Sequence, residues 1–530
     1  MTPQKQLPIG ISSLEEIINS NLLYIDKTEI VHRLITTNRR CFFSRPRRFG
    51  KSLLISTLKE IFLGNRKLFK DLWIGQGDRY TWQQRPVIHI DFSQLNTDTL
   101  DTLKNDLNNT LDTVAIHHGC NASHRPFPRE KIAYICETIG AQTKIAILID
   151  EYDAPLLRHI TNTEMALPIL DFLSGFYTTI KALDAYIHFT FVTGVTKFAK
   201  TSLFSGPNNL DDLSLSEKFA TLCGYTEKEI LAHCNDYIVE CAVAQQTNTK
   251  VIIQGMRRWY NGYQMSDYLI EKVYNPFSVL LYLKHQKFKN YWFSTGTPTF
   301  LVKLIQNNIY NFTNIDHSKV SGADLETFDL SVQDHQGNYK QLPLPMLMLQ
   351  TGYLTIESYT EKGSSYILAY PNQEIRESLN QLVLCSTLVV DNSTINDAKE
   401  KILHALQTNN ISLFCTIIQS LLAHIPYHIH VKEEAFYHAI LHMICVLLQI
   451  NTESEVAVAG GRADMIIQTN SALYLFECKL NASPEIALEQ IQTKRYYEKY
   501  YTQHKPVYLV GLNFDYATKT MTHVVEKAPQ

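Results

Sequence analysis

Apolar residues in the first 215 positions fall into short continuous runs, separated by stretches where they recur every three or four residues. The runs "RCFFS" (40–44), "PVIHIDFS" (86–93), "KIAILID" (144–150) and "IHFTFVTGV" (187–195) read as strands. Short apolar runs bounded by turn residues suit strands covered on both faces. The stretches between them are long enough for crossover helices, so the alternation predicts an α/β domain with a parallel sheet. From 216 to 400 the pattern is mixed and richer in helix, punctuated by turns at "WYNGY" (259–263), "YNPFS" (274–278) and "STGTP" (294–298). The polar stretch "VVDNSTINDAKEK" (389–401) reads as a linker and as a helix start with Ser393 or Thr394 as N-cap. A helical segment follows, and then a last α/β unit. It comprises a helix over 432–449, strands near 455–458, 463–467 and 473–478, a helix over 484–501 and a strand over 506–512. The expected domains are 1–215, 216–400 and 401–530, with no internal repeat or low-complexity tract.

Composition narrows the class. The 530 residues are 45% hydrophobic and 19% charged, as in globular domains with sizeable cores. A net charge of −3 excludes a chain that binds nucleic acid through its overall charge; such binding would need local basic patches. The ten cysteines are scattered without a C-x-x-C pair, which argues against a zinc ribbon and for a reduced, intracellular setting. The opening "MTPQKQLPIGISS" has no apolar signal region and no run of about 18 apolar residues follows, so a cytoplasmic protein with no membrane partner is expected. The histidines at 117–118 and in "HIPYHIHVK" (424–432) lack metal-ligand spacing and read as loop or solvent residues.

The chemistry begins at "SRPRRFGKSLLISTLKEIF" (44–62). A phosphate-binding loop needs a strand, a tight turn with exposed N–H groups and a helix whose N-terminus faces the ligand. Here "CFF" precedes the turn, and "KSLLISTLKEIF" carries apolar residues at helical spacing. Lys51 would contact β- and γ-phosphates, Ser52 would ligate Mg²⁺, and Gly50 lets the backbone approach the ligand. Arg45 occupies the place of the usual first glycine, followed by Pro46, Arg47, Arg48 and Phe49. Pro46 pre-sets one φ angle of the turn. Phosphate contact, pairing with lid acids and solvent exposure are all open to the three arginines. Downstream, "KIAILIDEYDAPL" ends a buried strand in Asp150, which would hold Mg²⁺, and Glu151, which would polarise the attacking water. Thr193 ends the next strand where a γ-phosphate sensor would sit, although strand threonines commonly serve β-propensity alone. Arg257 and Arg258 in "MRRWYNGY" could act as an arginine finger or be helix-surface charges.

The chain resembles, nearly end to end, the bacterial AAA-ATPase-like family that carries a C-terminal PD-(D/E)XK nuclease domain. The resemblance is carried by "GISSLEEIINSNLLYIDKTEIV", "SRPRRFGKSLLISTL", "LIDEYDAPL", "TGVTKFAKTSLFSGPNNLDDLSL", "CGYTEKEI", "WYNGYQMS", "VYNPFSVLLYL", "YWFSTGTPTFLV" and "LQTGYLTI". It implies an additional-strand P-loop ATPase core, a helical lid and linker region, and a nuclease fold. In that family the loop itself reads R-P-R-R-F-G-K-S, so Arg45 belongs to the family's form.

Nucleases of this type use acids to bring divalent cations to the scissile phosphate and a lysine to position water. "GGRADMIIQTNSALYLFECKL" supplies Asp464 on one strand and Glu477 and Lys479 on the next, the last two sharing a face. The resemblance adds Glu434 as a third acid, and Gln490 and Tyr497 as residues lining the site or the nucleic-acid path. Against this, the tyrosine stripe "KRYYEKYYTQHK" (494–505) also suits a helix packing tyrosine bodies on the sheet.

The implied function is ATP binding and hydrolysis, with Mg²⁺, joined to a nuclease using Mg²⁺ or Mn²⁺ and gated by nucleotide state. The expected partner is nucleic acid, DNA before RNA, and a homo-oligomer is compatible. The alternatives are a nucleotide-dependent regulator or scaffold whose nuclease fold grips nucleic acid without cutting, and an ATPase serving a protein partner.

Overall fold

The apolar runs of the N-terminal region lie side by side in the computed structural model. It describes residues 5–160, 162–197, 210–266, 271–294, 301, 315–322, 325, 344–360, 365–425, 432–448, 450–458, 461–503 and 505–529. Strands β1 (Arg40–Ser44), β2 (Val87–Asp91), β3 (Ile145–Asp150) and β4 (Ile187–Gly194) pair in parallel. The two-residue β5 (Asp211–Asp212), too short to leave an apolar signature, extends the edge beside β1. The order is β2-β3-β4-β1-β5, so β4 separates the strand that feeds the phosphate loop from the strand that ends in Asp150. That is the additional-strand arrangement. Every residue of β3 is buried, which explains its unbroken apolar run. The helix Lys51–Phe62 packs on β3 and buries Leu54, Ile55, Leu58, Ile61 and Phe62, a spacing that places them on one face.

Helices follow, as expected, at Glu227–His233, Asn235–Ala244, Thr249–Tyr260 and Pro276–His285, around a cluster that includes Cys241, Ile252, Met256, Tyr260 and Leu283. A three-stranded antiparallel sheet was not anticipated: β6 (Ser318–Ser321), β7 (Thr355–Tyr359) and β8 (Ser365–Ala369), in the order β6-β8-β7. Strands of four or five residues with mixed burial give too short a period to stand out in sequence. Residues 198–209 of the "TGVTKFAKTSLFSGPNNLDDLSL" motif, most of the turn at 294–298 and most of "HIPYHIHVK" lie outside the described residues.

The described chain forms one compact unit through Arg376 and a second from Glu377 onward. The helix Gln373–Leu388 carries the chain from one to the other. In the second unit the helix after the polar stretch spans Asn392–Gln407, and its N-cap is Asp391, not Ser393 or Thr394. Both hydroxyls donate to the Asp391 carboxylate, which outcompetes them for the cap because it also accepts the Thr394 N–H at 2.8 Å. Helices Ile411–Leu422 and Glu434–Leu447 lead to a sheet ordered β13-β12-β11-β10-β9. Its strands are β9 (Thr452–Val458), β10 (Gly461–Gln468), β11 (Leu473–Leu480), β12 (Val507–Asp515) and β13 (Thr520–Lys527). β11 and β12 are parallel and the other pairs antiparallel. The helix expected over 484–501 stops at Lys494, where Arg495 turns left-handed (φ +50°), and a 3₁₀ turn follows over Glu498–Gln503. β13, solvated and polar on one side, went unrecognised. Among the described residues no helix is long and apolar enough to cross a membrane.

Candidate active sites

The phosphate loop runs from Ser44, at the end of β1, to Gly50, and its geometry follows from where its carbonyls go. The Lys51 Nζ donates to the carbonyls of Arg45 (3.1 Å) and Pro46 (3.2 Å). The Trp292 indole Nε1 donates to the carbonyl of Arg47 (2.9 Å), and the Gly224 N–H to that of Phe49 (3.2 Å). A peptide's N–H points away from its own C=O, so turning carbonyls outward turns N–H groups inward. Those of Arg47, Arg48 and Gly50 donate to no described residue. Arg48 (φ +64°) and Gly50 (φ +94°) are both left-handed, and alternation of handedness gives the concave run of N–H groups that accepts an anion. The N-terminus of the Lys51–Phe62 helix adds its dipole at the same place.

Arg45 takes none of the three roles the sequence left open. It is 2% exposed and donates to the carbonyls of Ser44 (2.9 Å), Ser214 (2.6 Å) and Phe219 (3.2 Å). Its guanidinium lies 4.1 Å from the Phe43 ring centroid, and burial pulls it down to about 10. Pro46 packs against Gly352 (φ +91°), where an added Cβ would come within 2.6 Å of the proline ring. Phe49 is buried edge-on to Tyr263, ring centroids 4.7 Å apart. These three residues shape the loop from behind. Arg47, Arg48, Gly50, Lys51 and Ser52 face a cavity of about 520 Å³, whose other walls include Gly10, Ser12, Glu151, Arg158, Tyr225, Phe277 and Trp292. Pockets of roughly 300–1,000 Å³ accommodate small molecules.

Asp150 ends β3 nearly buried, and burial pushes its carboxyl up to about 6 against the pull of Lys51. Glu151 follows at φ +48°, a costly conformation for a non-glycine residue, with Oε1 3.5 Å from Lys51 Nζ. The structure thus brings Lys51, Glu151 and Asp150 together at the carboxyl ends of β1 and β3, the two strands that flank β4. It does not bring Thr193 to the cavity. That hydroxyl is fully buried and donates to the Phe43 carbonyl (2.6 Å), tying β4 to β1, because its strand register places it opposite Phe43. Arg257 is held in a two-pronged pair with Glu227 (3.0 and 2.7 Å) on the surface of its helix, the helix-surface alternative for that residue.

The second site is built on β10 and β11. The register Met465↔Phe476 sets Asp464 opposite Glu477. Asp464 Oδ2 accepts the Cys478 N–H at 2.8 Å, fixing the carboxylate across the two strands. Lys479 Nζ bridges Glu434 Oε1 (3.2 Å) and Glu477 Oε1 (3.3 Å), and Gln490 Nε2 also donates to Glu477 Oε1. Glu477 is 1% exposed, and its Oε2 accepts from no described residue. Burial, then the neighbouring Asp464, pushes its carboxyl up to about 7. Burial pulls Lys479 down, but Glu477 and Glu434 outweigh it and hold the ammonium above its ordinary range. Burial likewise raises Asp464. Glu434, Asp464, Glu477, Lys479 and Gln490 therefore converge, as the sequence grouped them.

Tyr497 does not join them. With Tyr496 and Tyr500 it is buried in a core cluster with Ile466, Leu475, Leu488 and Leu509, so the tyrosine stripe packs on the sheet. Three residues went unread in the sequence. His438 Nε2 bonds to the Asp464 carbonyl at 2.8 Å, and its one signal was its place one turn after Glu434. Trp292 and Glu374 meet near the phosphate loop, and a tryptophan whose buried N–H demands a partner was the only local hint.

Comparisons agree with this layout. The profile of the family described as "Predicted AAA-ATPase" matches residues 8–204, and that of the "PD-(D/E)XK nuclease superfamily" matches residues 432–524. A protein of Azotobacter chroococcum mcd 1, described as an uncharacterized protein in the vnfD 5′ region, is 32% identical over 535 residues, covering 98% of this chain and 99% of that one. No solved structure matches the chain. With the loop on β1, the acids on β3 and the acid–lysine pair on β10 and β11, the chain belongs to the predicted AAA-ATPase family and carries a C-terminal PD-(D/E)XK nuclease superfamily domain.

Proposed function

We propose that this chain is a nucleotide-gated nuclease: it binds and hydrolyses ATP at the Gly50-Lys51-Ser52 loop and cleaves phosphodiester bonds in nucleic acid, DNA before RNA, at Asp464, Glu477 and Lys479. In this reading residues 1–215 are the ATPase core, 216–400 the lid and linker, and 401–530 the nuclease. The observation that carries it is the Glu477 carboxylate, almost wholly buried with Oε2 unpartnered among the described residues, set opposite Asp464 and beside Lys479. A buried carboxylate oxygen without a donor is costly unless a ligand completes it.

Among the described residues no group of three or more His, Cys, Asp or Glu side chains is set to hold a metal ion; in this reading Asp464 and Glu477 would be the ligands. Their hard oxygen donors fit Mg²⁺ or Mn²⁺, which when bound would supply positive charge to the scissile phosphate. Lys479, whose ammonium Glu477 and Glu434 hold above its ordinary range, would donate to a phosphate oxygen or position a water. Gln490 and Lys479 both bond Glu477 Oε1, which fixes the carboxylate and leaves Oε2 for the ligand.

At the first site Ser52 and Asp150 fit the Mg²⁺ that accompanies ATP. Lys51, whose Nζ donates to the carbonyls of Arg45 and Pro46 and lies 3.5 Å from Glu151, would hold phosphate oxygens, and Glu151 would orient the attacking water. A cleavage assay crossing ATP, a non-hydrolysable analogue and Mg²⁺ with several nucleic acids tests the reading. Divalent-dependent cutting that survives Asp464→Ala refutes the nuclease site. Unchanged ATP-dependence of cutting in Lys51→Ala refutes the gating.

A further inference from the structure

The rim of the phosphate loop is gripped by residues far away in sequence. Trp292 donates its indole N–H to the Arg47 carbonyl at 2.9 Å. Its backbone N–H donates to Glu374 Oε1 at 2.6 Å, and the Ser278 hydroxyl donates to Glu374 Oε2 at 2.8 Å. Ser278 lies in the first turn of the Pro276–His285 helix, and the neighbouring Phe277 carries the Arg48 guanidinium 5.0 Å from its ring centroid. The Trp292 ring meets Tyr353 at 5.1 Å, next to the Gly352 that abuts Pro46. Glu374 is fully buried, and it opens the helix whose later turns belong to the second compact unit.

We propose that Trp292 is a positioning residue of the phosphate loop, set by the Glu374 carboxyl, so that loop conformation and the first turn of the Gln373–Leu388 helix are fixed together. The indole holds one peptide plane. With the Arg47 carbonyl turned to Trp292, the Arg48 N–H points the opposite way, into the concave face that would receive phosphate. Without that donor the plane is free to rotate and presents a carbonyl lone pair to the anion. Glu374 acts one step further out: it fixes the backbone from which the indole projects. The inference rests on the reading of the loop as a nucleotide site and names the residues that hold it competent.

The test titrates MgATP into the full chain by calorimetry for the wild type, Trp292→Phe, Glu374→Ala and Glu374→Gln, with melting temperatures measured with and without ATP. Phenylalanine keeps an aromatic ring but removes the indole N–H together with part of the ring body, so some loss of stability from the truncation accompanies the lost donor. Trp292→Phe and Glu374→Ala are expected to weaken ATP binding roughly five- to tenfold, the equivalent of one neutral hydrogen bond. Glutamine keeps the volume and one acceptor oxygen for the Trp292 N–H, while its NH2 can donate to the Ser278 hydroxyl, so Glu374→Gln stays within about threefold of the wild type. The melting temperature of Trp292→Phe without ATP falls by the core truncation alone, while its rise on adding ATP shrinks as well, which a purely structural role would not produce. Should Trp292→Phe fail to fold, Ser278→Ala replaces it, with a smaller loss in the same direction. Wild-type ATP affinity in the folded variant overturns the proposal alone. A wild-type chain that does not bind ATP overturns the nucleotide reading and the proposal with it.

Discussion

Replacing Arg45 separates a buried strut from a phosphate ligand. Its guanidinium donates to three carbonyls in a site 2% exposed, and the same cation lies over Phe43. Arg45→Ala takes its donor from the Ser44 and Ser214 carbonyls, at about 1–3 kcal/mol for each buried group left unpaired, while the Phe219 carbonyl keeps the Leu222 N–H, and it opens a void beneath the loop. Since relaxation and water entry recover part of this, roughly 3–5 kcal/mol is expected, which is large for one substitution. Arg45→Lys retains a cation but cannot reproduce the fork, so roughly half that loss is expected. The chain offers a selective probe: its four tryptophans, Trp73, Trp82, Trp259 and Trp292, all lie in the first compact unit. Urea unfolding followed by tryptophan fluorescence therefore reports this unit without the other. The expected order of midpoints is wild type, lysine variant, alanine variant. A folded Arg45→Ala protein with the wild-type midpoint and ATP binding weakened tens-fold would refute the reasoning and make Arg45 a phosphate contact.

Further outcomes follow from the same geometry. Asp464→Asn keeps an acceptor for the Cys478 N–H but removes the charge, so the fold should persist while divalent-dependent cleavage falls at least about a hundredfold, measured on a labelled duplex. Burial pushes Glu374 up to about 8 from an ordinary 4.5, so its contribution to stability is complete below 4.5 and is lost as pH rises toward 8, because the unfolded chain ionises first. Glu374→Gln removes that slope: relative to the wild type it should gain a few kcal/mol across this window, read from denaturant midpoints at several pH values. A gap that does not widen with pH would count against a buried, protonated Glu374. Tyr497→Ala should cost about 3 kcal/mol as a core truncation, seen as a lower melting temperature by circular dichroism. Unaltered stability with weakened nucleic-acid binding would restore Tyr497 to the nucleic-acid path.

Much of this protein was legible before folding. The strands β1 to β4 show as apolar runs because both of their faces are covered, and Gly50-Lys51-Ser52 and Asp150-Glu151 show because strand-end chemistry is local. The grouping of Asp464, Glu477 and Lys479 follows from alternation on one strand and pairing with its neighbour, both short-range properties. Short or half-solvated strands such as β5, β6 and β13 carried too little period to read. Tertiary structure alone decided the fate of individual side chains. Arg45 is a strut because Ser214 and Phe219, far along the chain, bring their carbonyls to it, and Thr193 is a tie between strands because its register sets it against Phe43. Trp292 and Glu374 lie 82 residues apart, and no local pattern predicts that the first would find the loop and the second would hold it. Periodicity and spacing act over a few residues, whereas burial and the choice of hydrogen-bond partner are settled only when distant segments pack together.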